Sequence, residues 1–251
     1  FKEGVSGSEL DVQNSLDQLL RGIPSGRIAV TTFASNIARL MTIASVAERN
    51  DRHVVLVGRS LHRMTQAAKK SGYLNDLPPF LDEKDAGHIP RDKILLLCTG
   101  SQGEPRGAMT RIARGEHSHV ELSQGDTVIF SSKVIPGNEK TLYALHNQLT
   151  ESGVNVITEA DEFVHVSGHP ARDELTDMYR IVKPEIAIPV HGEARHIRAH
   201  CELARSLGVK QAIEITNGNI LKLAPGVAGI IADVPSGRLA VDAGGLTPLD
   251  G

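Results

Sequence analysis

The segment Lys93-Ile-Leu-Leu-Leu-Cys98 constrains the fold of this chain more than any other part of the sequence. Its apolar run has no polar alternation, so a strand formed here must be buried on both faces. Strands of that kind belong to parallel sheets that carry helices on both sides. The sequence therefore predicts an α/β domain with this segment as an inner strand.

The chain on either side of this segment alternates between strand and helix patterns. Further strands are predicted at residues 28–33, 53–57, 126–130, 154–158, 163–166 and 185–190. Helices are predicted at residues 8–21, 36–48, 60–71, 138–152, 170–182 and 193–207. Residues 74–92 are expected to be an irregular surface connection. The expected fold is a doubly wound, mostly parallel sheet.

After Val209 the pattern becomes rich in strands. The Asn217-Gly218 pair predicts a β-hairpin turn that joins strands at residues 211–216 and 219–223. Residues 230–234 and 238–241 are expected to form further strands. The α/β body is thus followed by a tail of a different kind.

Composition limits the classes of function. The formal net charge is −3, so no global basic field indicates a nucleic-acid partner, although a local groove can still be basic. The chain has no Trp, and its aromatic content of 3% argues against a broad surface for stacking bases.

The cysteines and the apolar runs of the sequence bear on the cellular compartment. Cys98 and Cys201 lie in apolar segments and are predicted to be buried free thiols of a reducing cytoplasm. No apolar run approaches the ~20 residues that cross a bilayer, and no secretory signal is visible. The sequence begins with Phe1 rather than Met, so we expect a fragment. From the free thiols and the lack of a long apolar run, we expect a cytoplasmic location and no membrane partner.

Small polar residues recur where the predicted strands end. They are Ser35-Asn36, Gly58-Arg59-Ser60, Gly100-Ser101-Gln102, Ser131-Ser132 and Ser167-Gly168-His169. Such turns lead into helix N-termini, which favour anions, although a single turn of this kind is ordinary capping. The stretch after Cys98 lacks the Gly-Lys-Ser/Thr ending of a P-loop, so a tight strand-to-helix turn is the better interpretation.

Three histidines stand beside glycine or at predicted strand ends: His165, His169 and His191. A strand–helix–strand unit would bring these ends to one edge of the sheet, where ligands bind in open α/β folds. One such histidine alone could be a core residue, but three together indicate metal or phosphoryl chemistry. Because catalytic zinc needs about three protein ligands, the chain is expected to hold only part of a metal site. His117 and His119 are predicted to have no partner.

Five motifs occur in a characteristic order. They are Thr32-Phe-Ala-Ser-Asn36, Thr99-Gly-Ser-Gln-Gly-Glu-Pro105, Ser131-Ser132 with Ile135-Pro-Gly-Asn-Glu139, His165-Val-Ser-Gly-His169, and Pro189-Val-His-Gly-Glu193. This set closely resembles the ribonuclease J family, the β-CASP nucleases of the metallo-β-lactamase superfamily. The resemblance spans nearly the whole chain, and its last two motifs are the most specific.

The resemblance implies a division of the chain. Residues 1–8 would end the N-terminal metallo-β-lactamase part, and residues 9–172 would be the β-CASP domain. Residues 173–242 would be the returning C-terminal part of the αββα metallo-β-lactamase domain, and residues 243–251 a linker to a further domain. The family's His-x-His-x-Asp-His motif is absent from this sequence.

The resemblance also implies roles for residues. The stretch His165, Val166, Ser167, Gly168 and His169 would cradle the scissile or terminal phosphate, with His169 as the catalytic proton donor or transition-state stabiliser. His191 would be one ligand of a pair of zinc ions. Ser131, Ser132 and Asn138 would shape the pocket or contact RNA.

The implied activity is 5′-to-3′ exonuclease and endonuclease action in RNA processing and decay. The substrate would be RNA, preferably 5′-monophosphorylated, held in a cleft between two domains of a homodimer or homotetramer. The fragment alone is expected to be inactive. The alternative is a non-catalytic doubly wound module that binds a nucleotide or phosphate; a His-x-His-x-Asp-His motif upstream would decide for the nuclease.

Overall fold

The computed structural model describes residues 2–242 and 244–249. Two compact units divide the chain. The first runs from Gly7 to Gly168, and the second contains the described residues of 1–6 and 169–251.

A six-stranded sheet forms the centre of the first unit. Its strands are β1 (Ile28–Thr31), β2 (His53–Val57), β3 (Leu81–Asp82), β4 (Ile94–Cys98), β5 (Thr127–Phe130) and β6 (Asn155–Ile157). The order is β3-β2-β4-β1-β5-β6, and each neighbouring pair is parallel. β4 lies between β2 and β1, and all five of its residues are buried. The predicted inner strand of a parallel sheet is confirmed.

Helices cover both faces of this sheet. They are α1 (Glu9–Arg21), α2 (Ile37–Arg49), α3 (Arg59–Lys70), α4 (Ala108–Ala113) and α5 (Glu139–Glu151). Apolar residues of α1, α2 and α3 share one core with Ile28, Leu95 and other strand residues. Residues of α4 and α5 share a second core with Ala29 and Leu96 on the opposite side. The sheet is therefore doubly wound, as predicted.

Crevices form at the carboxyl edge of the sheet where the helices that follow two neighbouring strands pack on opposite faces. α2 and α3 follow β1 and β2 on one face, whereas α4 and α5 follow β4 and β5 on the other. The neighbouring pairs β2 and β4, β4 and β1, and β1 and β5 each combine one strand of either kind. At each of these pairs the chain leaves toward opposite faces, which is where open α/β sheets bind ligands.

Two expectations for the first unit are wrong. Residues 163–166 do not form a strand, because the carbonyl of Val164 accepts hydrogen bonds from the side chains of Arg39 and Ser131 instead of from a neighbouring strand. Residues 74–92 are not wholly irregular. They contain β3, which extends the sheet beyond β2, and 3-10 helices at Glu83–His88 and Arg91–Lys93.

The second unit contains α6 (Arg172–Val182) and α7 (Ala194–Ser206), with a short parallel pair, β7 (Ile186–Ala187) and β8 (Gln211–Ala212). The predicted helices at 170–182 and 193–207 are confirmed within a few residues at each end. The predicted strand at 185–190 shortens to β7.

Strands of the tail pair differently from the prediction. β9 (Asn219–Lys222) pairs antiparallel with β10 (Gly229–Asp233), and β11 (Arg238–Asp242) with β12 (Gly245–Leu249). The expected hairpin around Asn217-Gly218 is wrong. The side-chain oxygen of Asn219 accepts from the backbone N–H and hydroxyl of Thr216, which closes a local turn, while β8 pairs with β7. Of the expected linker at 243–251, residues 243, 250 and 251 lie outside the described residues.

Cys98 and Cys201 are free and buried, as predicted. Among the described residues, no helix combines the length and apolar character that a membrane span requires.

Candidate functional site

A buried arginine links several segments of the first unit next to the predicted phosphate cradle. Arg39, in the first turn of α2, is 0% exposed. Its Nε and Nη2 donate to the two carboxylate oxygens of Glu9 at 2.7 and 3.0 Å. Its Nη1 donates to the hydroxyl of Ser131 at 2.6 Å and to the carbonyl of Val164 at 3.0 Å. One guanidinium thus joins α1, α2, the end of β5 and the residue before His165.

Ser131 and Ser132 serve this framework rather than an open surface. Both follow β5 and are buried. The hydroxyl of Ser131 donates to the carbonyl of Val164 at 2.7 Å. Nε2 of Gln102 donates to the carbonyl of Lys133 at 2.9 Å, and its Oε1 accepts from the backbone N–H of Ile135. The Gly-Ser-Gln-Gly-Glu-Pro loop therefore fixes the loop that follows β5.

His165 follows Val164, whose carbonyl accepts hydrogen bonds from Arg39 and Ser131. Its side chain is half-buried, and its Nδ1 is buried with no hydrogen-bond partner among the described residues. Burial lowers the pKa of this imidazole, and the positive charges of Arg39 and Lys133 lower it further. Both effects favour the uncharged form of the imidazole. A buried polar atom without a partner calls for an explanation, and a bound ligand would supply one.

The rest of the predicted cradle is more open. Val166 is half-buried, whereas Ser167 and Gly168 are exposed. No heavy atom lies within 4 Å of the position that a Cβ would take at Gly168. This part of the chain is open to its surroundings, and backbone N–H groups are among the donors that contact phosphates.

His169 begins the second unit and is positioned by the start of α6. The carboxylate of Glu174 accepts from the backbone N–H of Ala171 at 2.7 Å and from the hydroxyl of Ser6 at 2.8 Å. These hydrogen bonds lower the pKa of the Glu174 carboxyl, and the one from the Ala171 N–H contributes most. The N-terminus of α6 is therefore tied down two residues after His169.

His191 lies on a strained turn between β7 and α7. Its φ of 63° is in the left-handed region, which is uncommon for residues other than glycine. A Cβ at the following Gly192 would lie 2.9 Å from the Cβ of His196, so the turn packs closely on α7. Such strain costs of order 1–3 kcal/mol and is concentrated at functional sites.

The imidazoles of His169 and His191 stack on each other. Their ring centroids are 5.7 Å apart with an interplanar angle of 19°, and both residues are exposed. The predicted convergence of these two residues is therefore found in the structure, with α6 between them in the chain. His165, Val166, Ser167 and Gly168 belong to the first unit.

A zinc site was implied by the family resemblance. His191 is an exposed imidazole held by a tight turn, which suits one ligand position. Across residues 2–242 and 244–249, however, no group of three or more His, Cys, Asp or Glu side chains could hold a metal ion. The described residues therefore do not fit a complete zinc site by themselves.

Sequence reasoning missed two features. Arg39 was not identified as a candidate, although an arginine among apolar helix positions, with an acidic first turn in the preceding helix, was the available signal. His117 was expected to have no partner, but its Nε2 lies 3.7 Å from the carboxylate of Glu83 and its side chain is 3% exposed.

The fold and site define a doubly wound α/β domain with Ser/Gly/His turns at its carboxyl edge, followed by a second unit that carries a histidine pair. Two family models match these parts in succession. Residues 25–149 match "Ribonuclease J, beta-CASP domain", and residues 153–215 match "Zn-dependent metallo-hydrolase RNA specificity domain". The chain belongs to the ribonuclease J family.

Whole-chain comparisons agree with the domain matches. The chain is 46% identical to Ribonuclease J of Sinorhizobium meliloti over 96% of its own length and 43% of the relative's. It is 40% identical to Ribonuclease J of Mycobacterium tuberculosis, over 95% of this chain and 43% of that one. The chain thus spans less than half the length of these curated relatives.

One solved structure has a similar fold. It is described as a protein of unknown function from Enterococcus faecalis V583, with a TM-score of 0.53 and 14% sequence identity. The match covers 89% of this chain and 46% of that one. At this identity the likeness concerns the fold alone.

Proposed function

We propose that this chain forms the phosphate-gripping part of a zinc-dependent ribonuclease that hydrolyses phosphodiester bonds in RNA. The proposed activity is 5′-to-3′ exonucleolytic and endonucleolytic, in cytoplasmic RNA processing and decay. The preferred substrate is 5′-monophosphorylated RNA, and the complete enzyme is a homodimer or homotetramer.

The observation that carries the catalytic part of the proposal is the stacked pair of His169 and His191, with centroids 5.7 Å apart. His191 serves as one ligand of the zinc pair. His169 serves the phosphate as a proton donor or as a stabiliser of the transition state. A proton donor must be held within hydrogen-bond reach of the leaving oxygen, and the anchored start of α6 restricts where His169 can be.

The residues from His165 to Gly168 grip the phosphate. In its uncharged form, which the lowered pKa favours, His165 can donate one hydrogen bond to a phosphate oxygen, and Arg39 and Lys133 supply positive potential nearby. The exposed backbone at Ser167 and Gly168 adds contacts that carry no sequence information. Such a grip suits an enzyme that degrades many RNAs.

Two zinc ions in the complete enzyme would lower the pKa of a water molecule to about 7 and stabilise the attacking and leaving oxygens. Since His191 is the single ligand assigned in this chain, the remaining ligands are proposed to come from other parts of the complete enzyme.

A direct test uses the 251-residue chain alone. We expect it neither to hydrolyse RNA nor to bind a zinc pair tightly, because metal affinity depends on ligand number and geometry. Purified chain is dialysed, its zinc is measured by elemental analysis, and it is incubated with 5′-monophosphorylated RNA. Stoichiometric zinc together with shortened RNA would refute the proposed dependence on ligands outside the chain.

A further inference from the structure

A cavity of about 840 Å³ opens in the first unit at the carboxyl ends of β2 and β4. It lies where α3 and α4 leave on opposite faces of the sheet, one of the crevices defined above. It takes no part in the His165–Gly168 cradle, whose residues follow β6. The position is thus a second place in the unit where a ligand is expected from topology alone.

The charges that line this cavity are mainly positive. Four arginines contribute to it, Arg59, Arg63, Arg106 and Arg111, against two glutamates, Glu83 and Glu116. All four arginines are exposed.

Most of these guanidinium groups have no protein partner. Within the described part of the chain, Arg59, Arg63 and Arg106 form no ion pair; Arg111 donates to the backbone carbonyl of Glu116 at 3.1 Å. Glu83 faces His117 at 3.7 Å. The chain as a whole is acidic, so a cluster of three unpaired arginines in one cavity is a local departure that favours an anionic ligand.

At the turns around the cavity, glycines allow backbone segments to lie close to neighbouring residues. Gly58 has a φ of 121°, and a Cβ there would lie 2.4 Å from the Oγ1 of Thr99. That Oγ1 accepts from the backbone N–H of Ala108 at 3.1 Å, which fixes the turn after β4. A Cβ at Gly107 would meet the Cα of Gly100 at 2.6 Å. These contacts hold the arginine-bearing turns in fixed positions.

The residue types that line the cavity favour one class of anion. Pockets for nucleotides and other small molecules are mostly apolar, with aromatic side chains against which a base can pack. Among the described residues no Phe or Tyr lines this cavity, and the chain has no Trp. The one ring in the lining, the imidazole of His117, has a side chain that is only 3% exposed and so offers little surface to a base. Arginine pairs with phosphate through parallel hydrogen bonds. Recognition here is therefore of phosphates and not of bases.

We propose that this arginine cavity binds phosphodiester groups of a single-stranded RNA backbone, as an anchoring site additional to the His165–Gly168 cradle. The inference rests on the proposed function, since it assumes an RNA substrate. It places a second, sequence-independent contact on the same strand, which would hold RNA while its terminal or scissile phosphate is in the cradle.

The test is RNA binding by the 251-residue chain, measured by fluorescence anisotropy in EDTA over a series of salt concentrations. The probe is a short, unstructured, 5′-monophosphorylated RNA. The variant Arg59→Gln/Arg106→Gln removes two exposed guanidinium groups. Each lost phosphate contact should reduce the slope of log K against log salt by about 0.7, so we expect a slope shallower by about 1.4 and weaker binding.

A charge-matched control is Arg49→Gln/Lys70→Gln, in the last turns of α2 and α3, both exposed. It should leave the slope unchanged, with all proteins giving the same circular dichroism spectrum. Equal slopes for the unchanged chain and the arginine variant would overturn the inference while leaving the proposed function intact.

Two further outcomes are distinguishable. If inorganic pyrophosphate binds the unchanged chain and not the arginine variant, while RNA affinity is the same for both, the cavity binds a small anion and the RNA assignment is wrong. If the folded, unchanged chain does not bind RNA at all, the proposed function itself is contradicted.

Discussion

Replacing His169 by alanine in the full-length protein is expected to lower turnover by about 10²–10⁴-fold, the usual cost of losing general acid–base help, while zinc content stays normal. The reason is that His169 is assigned to the phosphate and not to the metal. The loss should appear mainly in kcat, because a contact that strengthens in the transition state contributes little to ground-state binding.

His191→Ala is the companion variant, and it should lose zinc and activity together. His53→Ala, an exposed histidine at the start of β2, serves as the control and should change neither. If both residues were only structural, the two variants would melt earlier and keep their activity per molecule; the exposure of both imidazoles argues against this. Loss of zinc in His169→Ala with retention in His191→Ala would show that the two roles are assigned the wrong way round.

Arg39→Met should destabilise the protein by about 3–5 kcal/mol, the typical cost of breaking a buried ion pair from one side. The substitution keeps an unbranched side chain in place and removes every donor to Glu9, Ser131 and Val164. Urea denaturation, followed by circular dichroism, gives the free energy of unfolding.

Two comparisons sharpen this prediction. Arg21→Met removes an exposed guanidinium that pairs with the partly buried Asp17 one helical turn away, and it should cost only about 0.3–0.5 kcal/mol. Glu9→Gln leaves the buried guanidinium without its counter-charge and should also be destabilising, with the double variant costing less than the sum of the two. A loss below about 1 kcal/mol for Arg39→Met would contradict the organising role given to this residue, since isolated pairs of little importance fall in that range.

The sheet could be predicted because its signals are local. β4 is apolar at every position from Ile94 to Cys98, and this pattern is enough to indicate an inner parallel strand. The helix predicted at residues 8–21 is found at Glu9–Arg21, and its start is fixed locally, because the hydroxyl of Ser8 accepts from the N–H of Asp11.

The errors came from interactions that link distant parts of the chain. Residues 163–166 have a strand-like sequence, but Arg39, more than a hundred residues earlier, occupies the carbonyl of Val164. The Asn217-Gly218 pair was a correct turn signal, yet β9 found its partner in β10. Propensity describes what a segment can form, and tertiary pairing decides which option is used.

The candidate site was predictable in part. The meeting of His169 and His191 was expected from two parallel strands ending at one edge, whereas the structure achieves it with a loop before α6 and a left-handed turn after β7. The arginine cavity could not be predicted as a site, because Arg59, Arg63, Arg106 and Arg111 come from separate segments that only the β2–β4 pairing brings together.

The most direct test of the proposed zinc-dependent ribonuclease activity is hydrolysis of 5′-monophosphorylated single-stranded RNA by the full-length protein, before and after zinc is removed with a chelator and then restored. We expect the RNA to be hydrolysed, chelation to abolish hydrolysis, and added zinc to restore it. Full-length protein that is loaded with zinc and binds this RNA but leaves it intact would contradict the proposed activity and would favour a non-catalytic phosphate-binding module.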